Sequence, residues 1–136
     1  MNQPGRISVS YAGGEFCTGA VRGHTAAVDQ PSETGGEDFG PTPVELFVAY
    51  LAACVAYYAG RFLQRHRLSR EALLVDTRFE MAEDRPPRVA RMEILVITPA
   101  GLSSARREEL SAVVKVKRCT VHNSPRLPPE VDIGIR

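Results

Sequence analysis

Thr42-Pro43-Val44-Glu45-Leu46-Phe47-Val48-Ala49-Tyr50-Leu51-Ala52-Ala53-Cys54-Val55-Ala56-Tyr57-Tyr58 is the stretch on which the fold turns. Its first residues spell a helix start: Thr42 as N-cap, Pro43 at the first helical position, and Glu45 placed to complete a capping box. The helix that begins there is predicted to run to about His66. From Leu46 to Tyr58 it has no charged side chain, and Phe47, Leu51, Cys54, Tyr58 and Phe62 share one narrow stripe at helical spacing. A helix that is apolar all round must be surrounded.

Upstream, Pro31-Ser32-Glu33-Thr34-Gly35-Gly36-Glu37-Asp38-Phe39-Gly40-Pro41 combines glycine and proline with carboxylates and has no periodicity, so it reads as a loop. Before it, short alternating runs (Ile7, Val9, Tyr11; Phe16, Val21; Ala26, Val28) are punctuated by Gly13-Gly14 and Gly23. They predict three short antiparallel strands. Downstream, Leu73, Val75, Thr77, Phe79 and Met81 alternate with polar neighbours, as do Ala90, Met92, Ile94 and Val96 after Arg85-Pro86-Pro87. These are paired strands about a proline-marked turn. Pro99-Ala100-Gly101-Leu102-Ser103 leads into a second, amphipathic helix with Leu110, Val113, Val114 and the stem of Lys117 inward. Val131, Ile133 and Ile135 predict a closing strand. Single helices that do not alternate regularly with strands make the fold α+β.

A length of 136 residues accommodates a single domain over 1–136, and 43% hydrophobic with 24% charged residues gives it a real core rather than a disordered chain. Seventeen Lys+Arg balance sixteen Asp+Glu to a net charge of +1, so no global field gathers nucleic acid or anionic lipid. The apolar run Val44 to Ala59 is 16 residues long with Glu45 inside it, short of the roughly 20 a membrane crossing requires, and no membrane partner is expected. Met1-Asn2-Gln3-Pro4-Gly5-Arg6 lacks the apolar segment of a secretory signal, and the expected location is cytoplasmic. Because so small a chain has little with which to surround the apolar helix, a second copy is the expected cover, giving a homodimer.

The three cysteines do not make a disulfide scaffold. Cys54, among Ala52, Ala53 and Ala56, is either a small core hydrophobe or a nucleophile to which close approach is kept open. Cys119 follows Lys115, Lys117 and Arg118 and precedes His122, and neighbouring positive charge favours the reactive thiolate. Cys17 lies in a strand pattern and reads as structural. No set of residues has the spacing of a metal site, and Gly35-Gly36-Glu37-Asp38-Phe39-Gly40 is no phosphate cradle, since its acids would repel phosphate. Glu45 stands nine residues before Cys54, on the opposite side of an ideal helix, and the cap accounts for it. Arg22 and His24 read as solvated side chains on a strand or turn.

The block from Gly35 to Phe47, then Leu51-Ala52-Ala53-Cys54, and Cys119-Thr120-Val121-His122-Asn123 ahead of Pro128-Pro129-Glu130-Val131, resembles the OsmC/Ohr family of osmotically inducible and organic hydroperoxide resistance proteins. The resemblance is to its OsmC-like branch and covers nearly the whole chain. It implies an OsmC-like α+β fold with N-terminal antiparallel strands, a long buried central helix, further strands and a second helix, as an intertwined homodimer with active sites at the subunit interface. It also implies a thiol-dependent peroxidase in which Cys54 attacks an organic hydroperoxide and becomes a sulfenic acid, Cys119 resolves it as a disulfide, and an external dithiol reduces that disulfide without a bound cofactor. The hydroperoxide-resistance branch carries an arginine after an N-terminal glycine pair, where this chain has Glu15. It carries a glutamate ten residues before the first cysteine, where this chain has Val44. Arg22 and Glu45 are the nearest equivalents and the candidate supporting residues. The rival expectations are a redox sensor, or a binding protein whose interface cavity, lined by Tyr50, Tyr57 and Tyr58, holds an apolar small molecule.

Overall fold

The structure, a computed structural model, describes residues 5–116 and 120–136. The chain divides into two compact units between Phe47 and Val48.

In the N-terminal unit the alternating runs form β1 (Ser8–Gly13), β2 (Phe16–Val21) and β3 (His24–Val28), an antiparallel sheet in the order β1-β2-β3. Cys17, in the middle strand, pairs with Tyr11 on one side and Val28 on the other. At the β2–β3 turn, Arg22 and Gly23 have φ of 47° and 81°. Positive φ at both central residues marks a type I′ turn, whose twist matches that of its strands. Glycine adopts it freely, whereas Arg22 does so against the steric preference of an L side chain.

The loop that follows is irregular apart from a short 3-10 turn at Ser32–Thr34, yet it is firmly held. Asp29 is buried and its carboxylate accepts the N–H of Gln30 at 2.7 Å and of Phe39 at 3.0 Å. The Asp29 N–H donates to the Pro41 carbonyl at 3.1 Å, closing the loop at its base. The Phe39 ring meets Phe16 edge-on, with centroids 5.5 Å apart. A Cβ on Gly40 would stand 2.8 Å from the Ala27 backbone carbonyl, so only glycine lets the two segments approach.

The first helix, α1 (Pro43–Arg65), starts where the sequence places it. In the second unit, β4 (Leu74–Met81) and β5 (Val89–Ile97) form an antiparallel hairpin, followed by α2 (Ser104–Val116) and a short α3 (Thr120–Arg126). The hairpin register sets Arg78 opposite Glu93 and Glu80 opposite Arg91, while the ion pair formed is Arg91 with Glu93 along β5 itself. Ala59, Phe62 and Leu63 of α1 and Leu110 of α2 are buried together, with Leu73, Val96, Val113 and Val114 packed against them. Burial of such aliphatic and aromatic side chains contributes roughly 1.5–3 kcal/mol each, the term that holds this unit together.

Within one chain, Tyr50 and Tyr57 of the central helix are 51% and 59% exposed, because one helix and one hairpin cannot encircle it. Two expectations require correction. Val131, Ile133 and Ile135 form no strand and are 74%, 88% and 98% exposed. Alternation prescribes two faces for a strand, but a ladder also needs a neighbouring backbone, and none pairs with them among the described residues. The segment 120–126, which carries no helical periodicity, is a third helix, α3, despite Pro125 within it. The inward Lys117 lies outside the described residues, whereas Leu110 is buried as expected. At 23 residues α1 is long and apolar enough to cross a membrane by length and composition alone. Its packing through Ala59, Phe62 and Leu63 is that of a core helix.

Candidate active site

Cys54 lies about midway along α1, half-buried beside the exposed Ala53 and followed by Val55. On its own helix the positions three and four residues away are Tyr50, Leu51, Tyr57 and Tyr58, while the alanines at 52, 53 and 56 lie on other faces. Its sulfur is disulfide-bonded in this structure and has no titrating thiol. Cys119, expected to work with it, lies outside the described residues. Among the described residues Cys17 is the free cysteine; it is half-buried in β2 and serves the sheet.

Two grooves border α1 in the second unit. Val55, β5 from Ile94 to Ile97, Thr98 just beyond it and α2 line a groove of about 880 Å³, with apolar walls and Arg107 and Lys115 as cations. Tyr57, Tyr58, Arg61 and Arg65, with Glu109 of α2, line a second groove of about 550 Å³. Tyr57 and Tyr58 line this groove and Tyr50 does not.

Glu45 is exposed, and its carboxylate accepts the Thr42 N–H while its own N–H donates to the Thr42 hydroxyl. Arg22 is exposed at the β2–β3 turn, with His24 at the first position of β3. Among the described residues no cluster of three or more His, Cys, Asp or Glu is arranged to hold a metal ion.

Asp29 was not singled out in the sequence, although an acid at a strand end before a glycine-rich loop is a recognisable loop-tethering signal. The Phe39 amide, helped by those of Gln30 and Glu37 and opposed by desolvation, holds its carboxyl below the ordinary carboxylate range.

The sequence matches the family described as OsmC-like protein over residues 35–134, most of the chain. The chain belongs to the OsmC-like family. The match begins at Gly35, in the loop fastened by Asp29, and takes in all of α1 with Cys54. Solved OsmC-like folds are similar throughout. A Psychrobacter arcticus protein is 18% identical with a TM-score of 0.78, over 91% of this chain and 90% of that one. An OsmC-like protein of Mycoplasma pneumoniae is 18% identical with a TM-score of 0.75, over 93% and 89% of the two chains. An organic hydroperoxide resistance protein OsmC of Legionella pneumophila is 20% identical with a TM-score of 0.59, over 91% and 90%. Among curated proteins no sequence matches this chain. At these identities the OsmC-like likeness establishes the fold, and the chemistry has to be argued from the residues.

Proposed function

We propose that this OsmC-like chain is a thiol-dependent peroxidase that reduces organic hydroperoxides. The observation that carries the reading is family membership across residues 35–134, with a cysteine at position 54 of the family block. The half-buried Cys54 on α1 and the description of the Legionella pneumophila protein as an organic hydroperoxide resistance protein support it.

In the proposed cycle the Cys54 thiolate attacks the distal peroxide oxygen, the O–O bond breaks, and the alkoxide leaves with a proton as the alcohol. Cys54 is left as a sulfenic acid. The Cys119 thiol displaces water from it to form a disulfide, and an external dithiol returns both cysteines to thiols as it is itself oxidised. The working unit is a homodimer, supported by the bare Tyr50 on α1 and the bare Ile7, Val9 and Tyr11 at the N-terminal sheet.

The test is consumption of an alkyl hydroperoxide and of hydrogen peroxide with a dithiol reductant, for the unmodified protein and for Cys54→Ser and Cys119→Ser. Turnover that prefers the alkyl substrate and vanishes in Cys54→Ser establishes the peroxidase and its nucleophile. No turnover above the Cys54→Ser background refutes it and moves the search to ligand binding or redox sensing. Light scattering that returns a monomer at micromolar concentration refutes the dimer.

A further inference from the structure

The groove between the last turns of α1 and α2 has a composition that the peroxidase reading does not use. Arg61 and Arg65 stand four residues apart on α1, where side chains are neighbours about 5–6 Å apart at Cβ. Among the described residues neither is ion-paired, and Glu109, the one carboxylate lining the groove, is engaged with Arg106 at 2.8 Å. Two guanidiniums therefore face about 550 Å³, and among the described residues neither has a carboxylate within ion-pair distance.

The rest of the lining is largely aromatic. Tyr57 and Tyr58 meet edge-on with centroids 5.4 Å apart, and the Arg61 guanidinium lies 5.9 Å from the Tyr57 ring centre. Its Nη1 also donates to the Tyr57 hydroxyl at 3.4 Å, which restrains the guanidinium at the groove wall. The His66 ring rests against the buried Phe62, with centroids 4.4 Å apart. A guanidinium fork matches a carboxylate through paired charge-assisted hydrogen bonds, and aromatic walls match an apolar body.

From this juxtaposition we infer that the Tyr57–Arg61–Arg65 groove is a binding site for a small organic carboxylate, its charge held by the two arginines and its apolar body by the tyrosines. A free inorganic anion would leave the aromatic walls unused, and a neutral apolar molecule would leave the guanidiniums unpaired. The site does not depend on peroxide turnover, and binding is read separately from activity.

The experiment titrates the isotopically labelled full chain with phenylbutyrate and, in parallel, with phenylbutanol, its uncharged counterpart. Phenylbutyrate is expected to shift the side-chain Nε–H signals of Arg61 and Arg65 and to bind at least about tenfold more tightly than the alcohol, as a charge-assisted pair requires. Arg61→Gln and Arg65→Gln should each weaken the carboxylate by about tenfold, while Arg107→Gln, in the other groove, leaves it unchanged. Equal affinity for acid and alcohol, shifts confined to residues around Val55 and Leu95, or no saturable binding at millimolar concentration overturns the proposal. Should a glutamine variant fail to fold, the acid-against-alcohol comparison on the unmodified chain still decides.

Discussion

The Thr42 N–H donates to Glu45 Oε1 at 3.0 Å, and the Glu45 N–H donates to Thr42 Oγ1 at 3.1 Å. Two backbone donors that the helix itself leaves unpaired are thus satisfied reciprocally, and the Glu45 carboxylate is occupied at the start of α1.

Thr42→Ala should therefore cost about 1 kcal/mol of stability, whereas Glu45→Gln, which keeps an acceptor at the same place, should cost less than about 0.5 kcal/mol. Because the bonds are reciprocal, Thr42→Ala and Glu45→Ala should be non-additive by at least about 0.5 kcal/mol. Urea unfolding of the four members of that cycle measures it, and simple additivity would show the two bonds to be independent.

At Arg22, φ of 47° in a two-residue hairpin turn is a backbone that asparagine adopts more readily than arginine. Arg22→Asn should raise stability by about 0.5–1 kcal/mol. Peroxidase assays on the same variant separate turn from site: a more stable protein with lost turnover would mean that the strain is kept for the guanidinium, and unchanged turnover would give Arg22 to the turn alone.

Leu63 is fully buried between α1 and α2, so Leu63→Ala should cost about 2–5 kcal/mol, a large share of the stability of a chain this size. Tyr57→Ala, at an exposed position on the same helix, should cost much less in unfolding experiments.

How far the sequence carries depends on whether its signals are local. The start of α1, the three hairpins and the loop between β3 and α1 are written in capping residues, glycines and alternation that act over a few positions, and all of them appear. The bare side of α1 and the unpaired 131–135 segment depend on what stands opposite, which no local pattern encodes. The α3 helix is too short for a periodicity, and Pro125 points against it. Of the site, Cys54 was legible from its alanine setting and the family block. The Arg61 and Arg65 groove was not, because it exists only once α2 lies beside the last turns of α1.

Asp29 makes stability depend on acid. Its folded carboxyl lies below the ordinary range, so the unfolded chain takes up this proton first as pH falls. Its contribution is complete above the ordinary carboxylate range and is lost as pH drops through it toward the folded value. Asp29→Asn should lower the melting temperature at neutral pH, and the gap from the unmodified protein should close between about pH 5 and pH 2. A gap that is constant over this range would remove the charge from the explanation.

That same carboxylate decides what kind of surface residues 29–41 present. Segments without regular structure commonly order only when something docks on them, and that lost freedom is subtracted from the affinity. Here the order exists beforehand, through the Asp29 bonds to Gln30 and Phe39 and the backbone closure to Pro41. In hydrogen exchange the amides of Asp29, Gln30, Asp38 and Phe39, all hydrogen-bonded, should be slow for a segment with so little regular structure. A molecule that meets this loop finds it preorganised, and its association there carries little further entropic penalty from the chain.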